Sequence, residues 1–162
     1  MVAVQNAFAL VPASYVALLR SGATGPEVLL MLRAGTGYMD GYWATVAGHV
    51  EAGESCQQAA AREVLEEVGV HVRHADLEPL ATIHRTGSAA PVEQRVDFFF
   101  ACRRWRGDPL LVEPDKAADL GWFPLSLLPE PVVPHELRVL TAIAGDQLPA
   151  IMSAGFGPDA AG

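Results

Sequence analysis

Apolar positions along the chain form short strand-like runs and two stretches with a helical period. Compact apolar runs bounded by turn residues predict strands, and apolar positions repeating every three to four residues predict helices. The predicted strands cover 15–20, 27–33, 43–47, 77–85, 94–104 and 121–123, with 110–113 as a candidate for a further strand, and the predicted helices cover 55–68 and 135–144. The first two strands are expected to form a hairpin or to lie as neighbours in a sheet.

The first helix has recognisable ends. Ser55 followed by Gln58 fits a capping box, in which each side chain accepts a hydrogen bond from a free backbone donor. Gly69 supplies the helix stop, because glycine adopts a positive φ at little cost. We therefore expect the helix to cover residues 55–68.

One face of this helix carries clustered carboxylates. At about 100° per residue, Glu63, Glu66 and Glu67 fall within an arc of about 100°. Such a cluster disfavours the helix unless cations neutralise it. Mg²⁺ binds a few carboxylate oxygens together with water and substrate phosphates, so the pattern predicts a metal-dependent site for a phosphorylated substrate. The opposite face, expected to pack on a core, consists of Ala61, Val64, Leu65 and Val68.

Composition narrows the class of protein. The chain of 162 residues suits one domain, and although 51% of it is apolar, no apolar run approaches the roughly 18 residues that span a bilayer. Residues 1–11 lack the pattern of a signal peptide, so a cytoplasmic location is expected. The net charge of −8 argues against a nucleic acid polymer or a membrane as partner. Cys56 and Cys102 are expected to be packing residues.

The acidic helix belongs to a longer motif from Gly48 to Val70, with the sequence GHVEAGESCQQAAAREVLEEVGV. It fills every defining position of the pattern G-x5-E-x7-R-E-U-x-E-E-x-G-U, in which U is a bulky aliphatic residue. On this motif the chain resembles the Nudix hydrolases. The resemblance implies an α/β (α+β) fold, namely an α/β/α sandwich with a mixed sheet and the motif as a loop-helix-loop. It also implies a single domain over 1–150, followed by a flexible tail at 151–162.

The resemblance assigns ligands for a metal ion. It implies that Glu63, Glu66 and Glu67 bind Mg²⁺ or Mn²⁺, with the backbone carbonyl of Gly48 as an additional ligand. Ions held there would bridge diphosphate oxygens and lower the pKa of an attacking water. A carboxylate that is not fully committed to metal can accept the proton of that water, and Glu63 and Glu67 are the candidates.

Two other motif residues are expected to support the site. The resemblance implies that Arg62 pairs with a glutamate of the motif and orients it. Glu54 either joins this network or complements the helix dipole. Many members of the family carry a leucine-proline-glycine run before the motif glycine, whereas residues 43–48 are WATVAG here. The loop that carries the Gly48 carbonyl therefore departs from the common pattern.

Candidates for binding substrate outside the motif are Arg33, Tyr38, Asp40, Trp43, Glu113 and Asp115. Arginine suits phosphate, and aromatic residues suit a base or sugar, but a surface charge or a packed loop explains the same residues. The two acids are candidates because several Nudix enzymes place a further acid in the corresponding loop. Arg95 and Asp97 share one face of a predicted strand. Their side chains either face a substrate cleft or pair with each other.

The function implied is Mg²⁺- or Mn²⁺-dependent hydrolysis of a diphosphate linkage in a nucleoside diphosphate linked to another group, by water attack on phosphorus. A nucleoside triphosphate is favoured, because the chain is similar in size to the smaller members. An ADP-ribose or nucleotide-sugar pyrophosphatase is the close alternative, and a nucleotide-sensing module without turnover or a non-nucleotide diphosphate stays open. The expected partner is a small nucleotide derivative, and a homodimer is compatible with the family.

Overall fold

Eight strands and two α-helices form the part of the chain that the structure describes, which is residues 8–87, 94–145 and 147–157 of a computed structural model. They are β1 (Val11–Gly22), β2 (Gly25–Arg33), β3 (Trp43–Ala44), β4 (Val46–His49), α1 (Cys56–Val68), β5 (Leu77–Arg85), β6 (Arg95–Cys102), β7 (Ala117–Pro124), α2 (Pro134–Gly145) and β8 (Ile151–Ala154). One turn of 3-10 helix at His74–Asp76 precedes β5.

Strand β1 is the centre of a mixed sheet. The strand order is β3-β2-β1-β6-β5-β8, while β4 pairs with β1 and β7 pairs with β2. The first two strands form the hairpin that was one of the two expectations, and β1 and β6 are parallel. Along β1, β4 pairs with Ala13–Val16 and β2 pairs with Leu19–Gly22, so these two partners share one edge of β1 in succession.

The sheet lies between the two helices. Side chains alternate along β1, so Val16 and Leu18 join the core on the side of α1, whereas Ala17 and Leu19 join the core that contains Leu140 of α2. Each face of the sheet is therefore covered by one helix. The predicted α/β/α sandwich is confirmed.

Helix α1 begins and ends where the sequence predicts. Ser55 and Gln58 form both hydrogen bonds of the capping box, and Gly69 closes the helix with φ of 70°. The predicted apolar face was partly wrong, because Leu65 is 41% exposed. The buried residues of the helix are Ala59, Ala60, Val64 and Val68. Ala60, Val64 and Val68 follow one another at spacings of four residues, so they form a buried stripe that passes beside Leu65 and does not include it.

Residues 110–113 form no strand, so the candidate return strand was wrong. The backbone N–H groups of Leu110 and Val112 donate instead to the carbonyls of Val68 and Glu67, at 3.1 Å each. The last carbonyls of a helix lack partners within it, and this segment supplies them. Strand β7 is longer than the predicted 121–123, because it pairs with β2 along its whole length.

The expectation of a tail from residue 151 does not hold for β8. Residues Ile151–Ala154 pair in parallel with Thr82–Arg85 of β5, and Met152 is buried in the core. Residues 158–162 of the expected tail lie outside the described residues.

Two further observations concern the described residues. Cys56 and Cys102 form no disulfide with any described residue. Cys102 belongs to the core on the α1 side of the sheet, and Cys56 packs against that core. Within the described ranges, neither helix has the length and apolar character needed to cross a membrane.

Candidate functional site

A cavity of about 460 Å³ opens beside the start of β1, where α1, β4, β2 and the beginning of α2 converge. Its volume is typical of sites that take small molecules. Charged side chains of both signs face it, including Glu63, Glu67, Arg33, Arg95, Lys116 and Glu136. The cavity therefore combines carboxylates that suit a cation with basic groups that suit phosphate.

The carboxyl group of Glu63 packs directly on Gly48. A Cβ added at Gly48 would lie 1.9 Å from Oε1 and 2.0 Å from Cδ of Glu63, so this carboxyl keeps its position only with glycine at residue 48. The Glu63 side chain is 13% exposed. Burial raises the pKa of its carboxyl above the usual range, although the bond to Arg62 acts in the opposite direction. The Glu63 carboxyl thus lies directly against the backbone of the motif at Gly48.

Glu67 also faces the cavity and is more deeply buried. Its Oε2 accepts a hydrogen bond of 3.1 Å from the backbone N–H of Ala47. Burial raises the pKa of Glu67 to about 8, and the neighbouring charges of Glu63 and Glu113 add to this effect. In the absence of a cation this carboxyl therefore holds a proton at neutral pH. A divalent ion would displace that proton, because carboxylate ligands bind metals in their ionised form.

Glu66 lies apart from the other two glutamates. It does not line the cavity, and its side chain is 52% exposed. Arg62 holds it through an i,i+4 ion pair of 3.2 Å. Within the described ranges, no three His, Cys, Asp or Glu side chains are grouped closely enough to hold a metal ion. The expected three-carboxylate cluster is therefore present as two cavity carboxylates, with Glu66 turned toward solvent.

Arg62 links three acidic side chains of the motif. Its Nη2 donates to Oε1 of Glu54 at 2.6 Å, and its Nη1 donates to Oε1 of Glu63 at 2.6 Å and to Glu66. Nη2 also donates to the carbonyl of His49 at 3.0 Å, which connects the helix to the motif loop. Of the two expectations for Glu54, the geometry agrees with membership of this network, and the bond from Arg62 lowers the pKa of its carboxyl.

Three candidate residues lie at the end of β2 and in the loop that follows it. Arg33 and Tyr38 line the cavity, whereas Asp40 stabilises the loop. Arg33 lines the cavity while its Nε donates to the Tyr38 carbonyl at 2.9 Å and its Nη2 donates to Thr36. Tyr38 lines the cavity as well and is 48% exposed. Asp40 does not reach the cavity, because its carboxylate accepts hydrogen bonds from Thr36 and Gly37.

The other candidates also divide. Trp43 packs edge-on against Phe123, at 4.7 Å between ring centroids, and belongs to the core rather than to the cavity. Glu113 lines the cavity and pairs with Lys116 at 2.8 Å, whereas Asp115 does not line it. Of the acids in this loop that were candidates, Glu113 is therefore the one placed near Glu67.

Sequence reasoning missed a cluster of polar side chains at the cavity. Tyr15 and Arg85 line it, and Nη2 of Arg85 donates to the Tyr15 hydroxyl at 3.3 Å. The Tyr15 hydroxyl also lies 3.2 Å from Nε2 of His135, whose pKa burial lowers to about 3, so this imidazole is neutral. Asp97 is fully buried and binds Arg85. No sequence signal joins these residues, since they come from four elements that meet only in the folded chain.

Arg95, which the sequence analysis left open, and His49 also line the cavity. Arg95 does not pair with Asp97; its Nη1 lies 3.1 Å from Nε2 of His49. His49 is exposed on the cavity side. This pair adds a guanidinium next to the motif loop.

Comparison with known proteins agrees with this geometry. The family described as NUDIX domain matches residues 10–143. A curated relative, NAD-capped RNA hydrolase NudC of Stutzerimonas stutzeri, is 34% identical over 100 residues, which cover 62% of this chain and 33% of the relative. The putative mutator protein MutT4 of Mycobacterium tuberculosis is 26% identical over 126 residues, covering 70% of this chain and 45% of that protein. The chain thus spans less than half the length of either curated relative.

Solved structures show the same architecture. The MutT NUDIX hydrolase of Burkholderia pseudomallei superposes with a TM-score of 0.72 at 28% identity, covering 82% of this chain and 97% of that one. The NUDIX domain of Shewanella oneidensis NrtR, crystallised with ADP ribose, gives a TM-score of 0.68 at 18% identity, covering 85% of this chain and 88% of that one. The second likeness bears on the fold alone.

Proposed function

The chain belongs to the Nudix hydrolase family, and we propose that it hydrolyses a diphosphate linkage in a nucleoside diphosphate linked to another group. The observation that carries the proposal is the cavity in which Glu63 and Glu67 lie beside Gly48 and face basic side chains. Diphosphates need both a bound cation and basic groups to balance their charge. The cavity offers residues for both tasks.

The oxygen donors in the cavity fit a hard divalent cation such as Mg²⁺ or Mn²⁺. The residues that would hold it are Glu63, Glu67 and the backbone carbonyl of Gly48. Glu66, which Arg62 joins to Glu63, remains a proposed further ligand. When bound, the ion would neutralise charge on the diphosphate and lower the pKa of the attacking water. The raised pKa values of both carboxyls support this assignment, because buried acids without a cation are destabilised in the charged form.

Other side chains would bind and orient the reacting groups. Arg33, Arg95 and Lys116 face the cavity and are suited to phosphate oxygens. Arg62 would hold the Glu63 carboxyl in place. Glu67 is the better candidate for accepting the proton of the attacking water, because Glu63 already receives a hydrogen bond from an arginine and Glu67 receives one from a backbone amide only.

The favoured substrate remains a nucleoside triphosphate. A nucleotide sugar such as ADP-ribose is the first alternative. The NudC relatives are named for NAD-capped RNA, so a nucleotide cap is the next class to assay, in spite of the chain's negative net charge. The homodimer and the cytoplasmic location stay predictions.

The test is release of phosphate, pyrophosphate or nucleoside monophosphate from a panel of these substrates, with Mg²⁺, Mn²⁺ and EDTA compared. We expect release that EDTA abolishes and that Glu67→Gln lowers by at least about 100-fold, since the variant loses a carboxylate next to the reacting atoms. Glu78→Gln is the matched control, because Glu78 is exposed, pairs with Arg103 and does not line the cavity. Turnover that survives EDTA, or that Glu67→Gln leaves unchanged, would contradict the proposal. Binding without turnover would favour the nucleotide sensor instead.

A further inference from the structure

Glu136 is a buried carboxyl in the cavity that the proposed hydrolysis does not use. It lies at the start of α2, is 3% exposed, and lines the same cavity as the motif glutamates. It is held by Thr45 and comes from the start of α2, whereas Glu67 comes from α1 and is held by the backbone N–H of Ala47. The two carboxyls therefore belong to different parts of the cavity, and Glu136 is separate from the proposed metal ligands.

Thr45 holds one oxygen of this carboxyl. The backbone N–H of Thr45 donates to Oε2 of Glu136 at 2.6 Å, and the Thr45 hydroxyl donates to the same atom at 2.8 Å. Two donors fill the two lone-pair sites of that oxygen. Among the described residues, Thr45 is the source of every hydrogen bond assigned to this carboxyl. Oε1 is therefore the atom left for a ligand in the cavity.

Among the described residues, Asp97 Oδ1 is the fully enclosed side-chain oxygen without a partner, so Oε1 of Glu136 is open to the cavity that Glu136 lines. A ligand that brings an N–H or O–H group can therefore reach it. Tyr15, Met31 and His135 line the same cavity and offer aromatic and apolar surface, which suits a planar ring. A ribose diol held by a carboxylate uses both of its oxygens, and here one is already filled. The geometry fits a single N–H donor on a heterocycle better than a sugar.

We propose that Glu136 determines the base preference of the enzyme, with Oε1 accepting a hydrogen bond from an exocyclic amino group on the nucleobase. This inference rests on the proposed function, because it assumes a nucleotide substrate whose phosphates lie toward Arg33 and the motif glutamates. The substrate class is thereby narrowed to nucleotides of amino-bearing bases.

The substitution Glu136→Gln tests this directly, because Thr45 dictates how the amide must lie. Both Thr45 donors require an oxygen at the Oε2 position, so the carbonyl of the new amide faces Thr45 and its NH₂ group faces the cavity. The change keeps size and shape but converts the cavity-facing acceptor into a donor. A purely structural role for Glu136 would not reverse a preference between bases.

The assay compares nucleotides that exchange an amino group for a keto group at one ring position, with a hydrogen gained on the neighbouring ring nitrogen: ATP with ITP, and CTP with UTP. We expect the wild-type protein to favour the amino member of at least one pair by about tenfold or more in kcat/KM. Glu136→Gln should favour the keto member of that pair, and the exposed control Glu78→Gln should keep the wild-type preference. The comparison is made at about pH 8.5, since burial raises the pKa of Glu136 to about 7 and the carboxyl must be ionised to accept.

Loss of activity by the same factor for both members of each pair would overturn the inference and leave Glu136 as a structural partner of Thr45. Equal use of both members by the wild-type protein would overturn it as well, and this comparison decides the matter even where circular dichroism shows that the variant does not fold. Turnover without amino preference would uphold the proposed function and reject this inference. The opposite outcome is selective binding without turnover, and calorimetric titration with the α,β-methylene analogues of ATP and ITP measures it. Tighter binding of the ATP analogue by a protein that hydrolyses neither nucleotide would uphold the base site and reject hydrolysis.

Discussion

The Glu63 carboxyl occupies the space that a side chain at Gly48 would need. The three atoms nearest to a Cβ at this position are all in the carboxyl group of Glu63. The end of a glutamate side chain can move aside at little cost to the fold. A substitution at Gly48 should therefore change the position of one carboxyl while leaving the rest of the structure in place.

We predict that Gly48→Ala lowers kcat/KM by about 100-fold, because a displacement of about 1 Å at a reacting group has that order of effect. The melting temperature should change little, since the three atoms nearest to the added methyl all belong to the Glu63 carboxyl, which can move aside. Gly87→Ala is the control, because no atom of the described residues lies within 4 Å of a Cβ at that position. Unfolding of Gly48→Ala, or full activity in it, would show that the contact does not position Glu63.

Sequence separation explains which site residues could be predicted. The predicted residues lie close together in the sequence, whereas the residues that were missed contact partners far away in the sequence. Glu63, Glu67 and Arg62 belong to one motif whose spacing identifies them without a structure. Glu136 contacts Thr45 from 91 residues away, and nothing near either residue marks the pair. Candidates proposed from residue type alone divided, as Arg33 reached the cavity and Asp40 did not, because type does not determine which way a loop side chain points.

At the scale of elements, the two ends of α1 are stabilised in different ways. The start carries a local capping box, which a pattern of four residues predicts. The end is closed partly by Gly69 and partly by residues 110–112, which donate backbone hydrogen bonds to its last turn. The apolar character of residues 110–113 suggested a strand. The sequence does not show that the backbone N–H groups of this segment bond to the last carbonyls of α1 instead. The same contact brings Glu113 beside Glu67.

We predict that Ser55→Ala lowers the free energy of unfolding by about 1 kcal/mol, because it removes the side-chain acceptor for the Gln58 backbone N–H. The measurement is urea denaturation in EDTA. Gln58→Ala removes the reciprocal bond, in which the Ser55 N–H donates at 2.7 Å. Since the two bonds belong to one cap, the double variant should lose less than the sum of the single variants. Strictly additive losses would show that the two bonds are independent.

At the scale of the whole molecule, the position of the cavity follows from strand pairing along one edge of β1. Strand β4 pairs with the first part of this edge and β2 with the last part, so the segments that carry Gly48 and Arg33 diverge from β1 at different points. The space between them is lined by carboxyls that include the desolvated groups of Glu63, Glu67 and Glu136. Buried acids of this kind make folding stability depend on pH, so the architecture of the cavity has a consequence that can be measured without substrate.

Glu136 provides the clearest case of this dependence, because burial raises the pKa of its carboxyl from 4.5 to about 7 on folding. Below about pH 4.5 the carboxyl is protonated in both the folded and the unfolded chain, and its contribution to stability is fully present. Between about pH 4.5 and about 7 the unfolded chain loses the proton while the folded chain retains it. The stabilisation is therefore lost as the pH rises, by up to about 3 kcal/mol at 1.36 kcal/mol for each pKa unit.

We predict that the free energy of unfolding of Glu136→Gln, measured by urea denaturation in EDTA, falls less steeply over this range than that of the wild-type protein. The difference between the two curves isolates Glu136 from the other carboxyls, among which Glu54 and Asp76 have lowered pKa values and act in the opposite direction. Parallel curves would mean that the carboxyl ionises in the folded protein as readily as in the unfolded one. That result would remove the physical basis for treating this end of the cavity as a desolvated site, since a desolvated carboxyl resists ionisation.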